Sequence, residues 1–399
     1  MQITFASSPT SSVGVEMELE LVDQRSRELR SAASAVLEDI GREHPGGEHP
    51  KAKHELLESC VEIITGVCAT AGEARDDLAH TLAEVTASAA TQGLDVMCSG
   101  THPFSSWSEQ VVTDDPRYLQ LIEDHQWLAR RLQIFGIHVH VGVRSPDKVM
   151  PIVNALTGYI AHFLALSASS PYWLGTDTGL ASSRSKIFEG LPTAGLPHQL
   201  ADWAGFEDFM QTLVSSNTIK TIREVWWDIR PHPNFGTVEL RICDGVPTLR
   251  EVAAIAALSQ CLVTRFDSLL DRGYTLPMPK SWVVRQNKWR AARYGVDAEI
   301  IIDDKGTLQP LREAVGELVD ELEPVADKLG CSDELAYVLE VAQAPSYLRQ
   351  RHIIAAGGSL VDVVAGLVDE LRLDQPAALA GAHKGSGPMV PLGLPQGDE

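Results

Sequence analysis

The chain has 399 residues, of which 44% are hydrophobic and 22% charged, enough for one large domain or two ordinary ones and unlike disordered or fibrous proteins. Its 54 acidic residues outnumber 33 basic ones, and the formal charge of −21 disfavours nucleic acid and anionic lipid as partners. The N-terminal segment lacks the cationic start and apolar run of a signal peptide, and no later run of about 18 residues is uninterruptedly apolar. We therefore expect a cytoplasmic protein.

The first two thirds of the chain alternate between strand-like and helix-like patterns. Residues 13–22 alternate apolar and acidic side chains, which predicts a strand with Glu16, Glu18 and Glu20 on one face. Further strands are predicted over 58–65, 95–104 and 135–143. Helices are predicted over 31–42, 72–90, 116–134, 146–169 and 205–216. The segment 171–188, rich in Gly, Ser and Thr, is predicted to be an irregular loop of the kind that often holds ligands.

The composition changes after one more alternating strand within 225–244, which places Thr237, Glu239 and Arg241 on one face. From about residue 248 to 375 the patterns predict helices. Their predicted bounds are 250–272, 281–294, 309–329, 332–344 and 359–373. The remaining residues, 376–399, have the Pro and Gly content of a disordered tail.

Four strands far apart in sequence thus carry charged or imidazole side chains on a single face. If they share one sheet, the crowded carboxylates need cations, because burial and mutual repulsion raise carboxylate pKa values and cost stability. Oxygen ligands with an occasional imidazole suit Mg²⁺ or Mn²⁺, and two such ions would hold a polyphosphate. Gly142, on the same face as His138 and His140, indicates close approach by another group.

Simpler interpretations than a metal and polyphosphate site also fit parts of this pattern. A single strand with alternating Glu is most often the solvent-exposed face of an antiparallel sheet. Arg230 and Arg241 are equally well explained as structural ion pairs with Asp228 and Glu239, although a guanidinium also suits the charge on a phosphate in transfer. The recurrence of the pattern in four strands favours a site.

Several segments together resemble the ATP-dependent carboxylate-amine ligases of the glutamate-cysteine ligase type 2 family, and the resemblance spans about 13–365. The segments that carry it are GVEMELELV (14–22), HELLESCVEIITGVC (54–68), SGTHPF (99–104), FGIHVHVG (135–142), SPYWLGTDTGLASSRSKIF (170–188), WDIRPHPNFGTVELRICD (227–244) and AAGGSL (355–360). The combination is specific, although ExE or HxH alone would indicate little.

The resemblance implies an α+β, glutamine synthetase-like fold. In that fold a curved, mostly antiparallel sheet forms a funnel, with ATP and metal ions on its concave face and helices packed outside. It implies a single catalytic domain over 1–375, with a helix-rich part from about 248, in a homodimer. The implied reaction transfers the ATP γ-phosphate to a carboxylate, and an amine then attacks the acyl phosphate to form an amide, with weak glutamate-cysteine ligase activity.

The resemblance also assigns roles to residues, with ATP and Mg²⁺ (or Mn²⁺) as cofactors and a small carboxylate and amine as substrates. Metal contacts are expected from Glu16, Glu18, Glu58, Glu62, His138 and Glu239. His140 and Arg241 are expected to contact the nucleotide phosphates, and Arg230 and Arg241 to be catalytic. Substrate contacts are expected from Arg184, Arg230, Thr176 and Ser183. Roles for Glu55 and Asp228 are less defined.

Three other functions fit parts of the same pattern. A guanidino-kinase-like phosphotransferase would use the same ATP and metal site but transfer phosphate to nitrogen without releasing it. A metal-dependent hydrolase would need neither ATP nor the arginine pair. A regulatory protein would bind ATP without turnover. Product analysis separates these alternatives.

Overall fold

The computed structural model describes residues 2–378, and a seven-stranded antiparallel sheet lies at its centre. The strands in chain order are β1 Val13–Asp23, β2 Ala52–His54, β3 Cys60–Ile64, β4 Leu94–Met97, β5 Ile137–Gly142, β6 Tyr172–Trp173, β7 Thr176–Asp177, β8 Ile229–His232, β9 Thr237–Leu240, β10 Glu299–Ile301 and β11 Leu308–Pro310. The sheet runs β2-β3-β1-β5-β9-β8, with β4 paired to the end of β1, while β6–β7 and β10–β11 form separate two-stranded sheets. The expected combination of an antiparallel sheet with helices is confirmed.

The described residues contain fourteen α-helices. These are α1 Ala33–Gly41, α2 Ala71–Thr91, α3 Pro116–His125, α4 Trp127–Arg130, α5 Pro146–Leu156, α6 Ile160–Ser167, α7 Arg184–Phe188, α8 Trp203–Ser215, α9 Leu249–Asp271, α10 Ser281–Tyr294, α11 Leu311–Leu329, α12 Ser332–Gln343, α13 Ser346–Ala355 and α14 Leu360–Leu373. The helix-rich part predicted from about 248 is present within the described residues.

The sheet has one apolar and one polar face because its strands alternate with a period of two. Val15, Met17 and Leu19 of β1 are buried in the main apolar core. Helices α2, α5 and α9 contact the strands from this side and contribute apolar side chains to the same core. The opposite face keeps the ionisable side chains. The sheet therefore presents its charged residues on the side away from the helical layer.

Two apolar helical segments, Pro146–Ser167 and Leu249–Asp271, are long enough to cross a membrane by length and composition. Within the fold, 83% and 78% of their apolar windows are buried. Their hydrophobicity is thus accounted for by the core, as in the central helices of many proteins.

Two predicted helices and one predicted loop differ from the structure, and the strand predicted over 95–104 ends at Met97. The helix predicted over 116–134 is two helices, because Gln126 adopts a positive φ of 49° and α4 ends at Arg130. The helix predicted over 146–169 is interrupted by a 3-10 turn at Thr157–Tyr159. The loop predicted over 171–188 contains β6, β7 and α7. In the first two cases the helical period continues through a local break that periodicity does not reveal.

Some short elements were not predicted at all: β2, β8, the β10–β11 hairpin and α13. A strand of three or four residues is too short to show an alternating pattern, so its pairing partner decides its conformation. Most of the predicted C-terminal tail, from residue 379 onward, lies outside the described residues.

Candidate active site

The register of strand pairing aligns the charged side chains of the polar face. Glu18 of β1 is the direct cross-strand partner of Glu62 of β3. On the other side of β1, Glu16 is the partner of His138 of β5. The condition that the four strands share one sheet is therefore met. The row that results contains, from β3 to β8, Glu62, Glu18, Glu16, His138, His140, Glu239 and Arg230.

Three carboxylates, Glu18, Glu55 and Glu62, form a group that we call the carboxylate cluster. Each offers an oxygen, and these atoms lie within 4.8 Å of one another. Burial and the charge of Glu55 raise the pKa of Glu18 to about 8, and burial with the same neighbour raises that of Glu62 well above its usual value. Lys53 Nζ, 2.9 Å from Glu62 Oε1, supplies one compensating charge. The cluster therefore has a surplus of negative charge that a cation would relieve.

A second group, the mixed cluster, consists of Glu16, His138 and Glu239, again with ligand atoms within 4.8 Å. His138 Nδ1 lies 2.9 Å from Glu16 Oε2, and His140 Nε2 lies 3.5 Å from Glu16 Oε1. Burial opposes ionisation of Glu16, but the two histidines outweigh it and lower its pKa. Burial and the nearby Arg241 lower the pKa of His138 to about 4, so this imidazole is neutral and can act as a ligand at neutral pH.

Glu239 lies between two guanidinium groups. Arg230 Nε donates to its Oε2 at 2.7 Å, and Arg241 Nη1 donates to its Oε1 at 2.5 Å. Although burial alone would raise the pKa of Glu239, these arginines hold it well below the usual value. The ion-pair interpretation of the arginines is thus correct for Glu239.

The alternative pairing of an arginine with Asp228 is wrong. Asp228 Oδ2 instead accepts a hydrogen bond from Lys288 Nζ at 2.6 Å, and the same ammonium lies 2.5 Å from Glu189 Oε1. Lys288 comes from α10, so the packing of a distant helix decides this pair. Both Asp228 and Lys288 are buried, which makes the pair part of the protein interior.

Glu58, expected as a metal ligand, does not join either cluster. Its carboxylate accepts hydrogen bonds from the backbone N–H of Ser34 at 3.1 Å and the hydroxyl of Ser34 at 2.8 Å, at the first turn of α1. The predicted strand 58–65 begins only at Cys60, so the alternation does not reach Glu58. Glu55, in the turn before β3, lies beside Glu18 and Glu62, where Glu58 was expected. We therefore replace Glu58 by Glu55 in the carboxylate cluster.

The loop residues expected to bind substrate differ in their availability. Arg184 is buried, and its guanidinium lies so close to Gly136 that a Cβ added to this glycine would be 2.3 Å from Nη2. Gly136 N–H in turn donates to Glu18 Oε2 at 2.6 Å, which places Arg184 beside the carboxylate cluster. The hydroxyl of Ser183 donates to the Ser170 carbonyl at 2.7 Å, and Thr176 is exposed in β7.

A cavity of about 250 Å³ opens beside this loop. It is lined in part by Arg131, Trp173, Thr178, Ser183 and Lys186. Two cationic side chains with hydroxyls suit a small anionic ligand.

Asp244, at the end of the segment that follows β9, was not predicted to matter for the site. Its carboxylate accepts hydrogen bonds from Ser169 N–H at 3.0 Å, Ser170 Oγ at 2.7 Å and Ser182 Oγ at 2.8 Å. It therefore ties the loop that carries Arg184 to the end of the sheet.

An aromatic group borders the other end of the row. His232 stacks on Phe235 with ring centroids 4.0 Å apart, and His140 meets both rings edge-on. Phe235, in the β8–β9 turn, is 60% exposed. The signal in the sequence was the PNFG turn, which places an apolar residue where a polar one is usual.

The close approach that Gly142 indicated is confirmed, but the approaching group belongs to this chain. A Cβ at Gly142 would lie 2.5 Å from both Ser8 Oγ and the Thr10 carbonyl oxygen. The N-terminal segment therefore packs against the end of β5.

A sequence model of the family described as glutamate-cysteine ligase family 2 (GCS2) matches residues 12–362. The chain belongs to this family. The family member of Frankia casuarinae named "Putative glutamate--cysteine ligase 2-1" is 58% identical over 378 residues, covering 94% of this chain and 99% of that protein. One from Thermobifida fusca, named "Putative glutamate--cysteine ligase 2", is 53% identical, covering 94% and 95%.

This glutamate-cysteine ligase family 2 member shares its fold with solved structures of low sequence identity. The glutamate-cysteine ligase of Francisella tularensis, in complex with AMP, has a TM-score of 0.67 at 14% identity, covering 92% of this chain and 90% of that one. A bifunctional glutathione synthetase of Pasteurella multocida has a TM-score of 0.64 at 16% identity, covering 91% of this chain and 52% of that one.

The donors of the two clusters in this family member fit hard divalent cations. The carboxylate cluster consists of oxygen donors and includes two groups whose pKa values are raised. The mixed cluster adds one neutral imidazole. Carboxylate oxygens with an occasional imidazole are the ligands of Mg²⁺ and Mn²⁺ in nucleotide enzymes.

Proposed function

We propose that this protein is an ATP-dependent carboxylate-amine ligase that forms an amide bond through an acyl phosphate, with weak glutamate-cysteine ligase activity. The observation that carries the proposal is the row across the polar face, in which two clusters of metal-ligating side chains adjoin two arginines. Such a row matches the distribution of charge along a polyphosphate bound with its cations. Membership of the family supports the same reaction.

The proposed cofactors are ATP and Mg²⁺ or Mn²⁺. The metal ligands would be Glu18, Glu55 and Glu62 in the carboxylate cluster and Glu16, His138 and Glu239 in the mixed cluster. When bound, the ions would neutralise the polyphosphate and the group in transfer. The raised pKa of Glu18 means that a cation must compete with a proton for this carboxylate, so cation binding should strengthen as pH rises toward 8.

Arg241 and His140 are the proposed contacts to the nucleotide phosphates. Glu239 orients the Arg241 guanidinium through Nη1, and the Thr237 hydroxyl lies 3.0 Å from His140 Nδ1, so both side chains are held in place. A fixed guanidinium stabilises the developing charge on the phosphoryl group without reorganising during the reaction.

Arg230 has less freedom to contact substrate than the sequence suggested. Its Nε and Nη2 donate to Glu239, and its Nη1 donates to the Arg223 and Val225 carbonyls at 3.1 and 3.0 Å. These contacts use four of the five N–H groups of the guanidinium, so one N–H, on Nη2, remains to contact substrate. We propose that Arg230 is mainly a positioning residue that acts through Glu239.

Arg184 is the proposed partner of the substrate carboxylate or its acyl phosphate. It is buried beside the carboxylate cluster, where Nη1 lies 3.4 Å from the backbone carbonyl oxygens of Arg241 and Ile242, and Nη2 lies 3.4 Å from that of Arg241. Its Nε has no hydrogen-bond partner among the described residues. Thr176 and Ser183 are proposed to contact substrate from the same loop. The small carboxylate and amine would then meet at the end of the row nearest Glu18.

We further propose that residues 1–375 act as a single catalytic domain, in the cytoplasm and as a homodimer, with no nucleic-acid or membrane partner. In support, the main apolar core includes both β1 and α12, so the sheet and the C-terminal helices share one interior. The net charge of −21 is consistent with small-molecule rather than nucleic-acid partners.

The test is to measure ADP and free phosphate released from Mg-ATP with a panel of amino acids, including glutamate with cysteine, and to identify products by mass spectrometry. An amide with stoichiometric phosphate supports the ligase. Transfer of phosphate to nitrogen without free phosphate would make the protein a phosphotransferase instead. Glu55→Gln and Glu58→Gln form a matched pair, of which only the first should lose activity.

A further inference from the structure

A third group of potential metal ligands lies apart from the polar face of the sheet. His44 and His49 belong to the segment between α1 and β2, and Glu84 belongs to α2, which packs on the apolar side. One ligand atom from each lies within 4.8 Å of the other two. None of these residues is used by the proposed reaction.

The chain brings the two imidazoles together by a tight reversal. Gly46 and Gly47 have φ angles of 85° and 78°, a backbone conformation that glycine adopts without strain. As a result the rings of His44 and His49 lie edge to face with centroids 4.4 Å apart. The His49 side chain is only 4% exposed, so its position is fixed by packing.

Three imidazoles converge on the single carboxylate of Glu84. His49 Nε2 lies 3.1 Å and His44 Nε2 3.9 Å from Oε2, while His80 Nε2, one helical turn earlier in α2, lies 3.9 Å from Oε1. An ion pair between His49 and Glu84 would account for these two side chains, but not for the approach of His44 and His80. Only His49 is within hydrogen-bond distance of the carboxylate, whereas a metal ion would use all three imidazoles in the neutral form.

We propose that His44, His49 and Glu84 bind a divalent transition-metal ion of the Zn²⁺ type, with His80 as the fourth ligand. Two or three imidazoles with one carboxylate suit Zn²⁺, whose bonds of about 2.0–2.2 Å place tetrahedral ligands roughly 3.4 Å apart. The His49–Glu84 distance already meets this spacing, and the distances from His44 and His80 to Glu84 need to shorten by about half an ångström. His80 lies outside the group of ligand atoms within 4.8 Å of one another, so its exposed side chain must also turn toward the two histidines.

Binding at His49 Nε2 has an identifiable cost. The Nδ1 atom of His49 accepts a hydrogen bond from the Lys51 N–H at 3.1 Å, which requires the proton to be on Nε2. A metal ion on Nε2 shifts that proton to Nδ1, so the Lys51 hydrogen bond is exchanged for the metal bond. The ion would tie the 44–50 segment to α2.

The experiment is titration of the purified full chain with Co²⁺ in excess Mg²⁺, which occupies the carboxylate-rich sites. Wild-type protein should develop the intense visible absorption of tetrahedral Co²⁺, and Zn²⁺ should displace it. The double variant His44→Ala with His49→Ala should bind at least about 100-fold more weakly, and the exposed His80→Ala about 10-fold more weakly. His352→Ala, from α13, is the control and should bind like wild type.

The proposal is overturned if wild-type protein shows no tetrahedral Co²⁺ band, or if the double variant and His80→Ala both keep the wild-type spectrum and affinity. Circular dichroism checks that the double variant folds. If it does not, His80→Ala decides alone, because an 86% exposed side chain can be removed without disturbing packing.

Discussion

Replacement of Glu239 by glutamine should destabilise the protein strongly as well as abolish turnover. The side chain is 1% exposed and compensates two arginines, with contacts of 2.7 Å to Arg230 Nε and 2.5 Å to Arg241 Nη1. Glutamine keeps the shape but leaves two buried positive charges without their partner. Breaking buried ion pairs in this way costs about 3–5 kcal/mol. Urea denaturation followed by tryptophan fluorescence, in EDTA at pH 7, measures the difference in the free energy of unfolding.

Glu18→Gln makes the same chemical change on the same face and serves as the matched control. Because the pKa of Glu18 is raised to about 8, its ionised form is disfavoured in the folded, metal-free protein, and stability is lost as pH rises from about 4.5 toward 8. Glutamine avoids that loss, so this variant should be equally stable or more stable by about 1–2 kcal/mol at pH 7. If Glu239→Gln loses less than about 1 kcal/mol, or both variants lose equally, the charge argument is refuted.

The remaining predictions concern other parts of the site and the core. Glu55→Gln should lower kcat by at least about 100-fold in steady-state kinetics, because it removes a charge from the carboxylate cluster. Glu58→Gln should keep activity near the parent level and lose about 1 kcal/mol in urea denaturation, since it weakens only the hydrogen bonds to Ser34. A larger loss of activity in Glu58→Gln than in Glu55→Gln would contradict this assignment. Lys288→Met should cost about 3 kcal/mol because it leaves Asp228 buried without a cation, and equal stability of variant and parent in urea would remove this pair from the interior. Burial lowers the pKa of His162 to about 4 from 6.5, so the unfolded chain takes up a proton first as pH falls. Stability from this residue is therefore complete above pH 6.5 and falls by about 3 kcal/mol toward pH 4, and His162→Leu should flatten that slope in denaturation curves measured across this range.

Period-two alternation in the sequence is enough to place many of the site's side chains on one face. The side chains of Glu16 and Glu18 in β1, and of His138 in β5, follow from which face each position occupies. The face depends only on the local conformation of one strand, so sequence determines it without tertiary information. The resemblance of the motifs predicted the family, and the family in turn predicted the fold.

Tertiary structure decided which residues are cross-strand partners in the sheet. That Glu18 meets Glu62, and Glu16 meets His138, depends on strand order and register, which bring together residues remote in sequence. The choice of Glu55 over Glu58 depends on where the turn between β2 and β3 ends and β3 begins.

Tertiary structure also decided which cation compensates each buried carboxylate. Lys288 reaches Asp228 because α10 packs beside the sheet, and Glu239 holds both Arg230 and Arg241 because β8 and β9 form a hairpin. For residues inside the strands, sequence determined which side chains face the site, since facing is a property of a single strand. Only the packed molecule decided which of them touch, because the distance between two side chains depends on every element that lies between them.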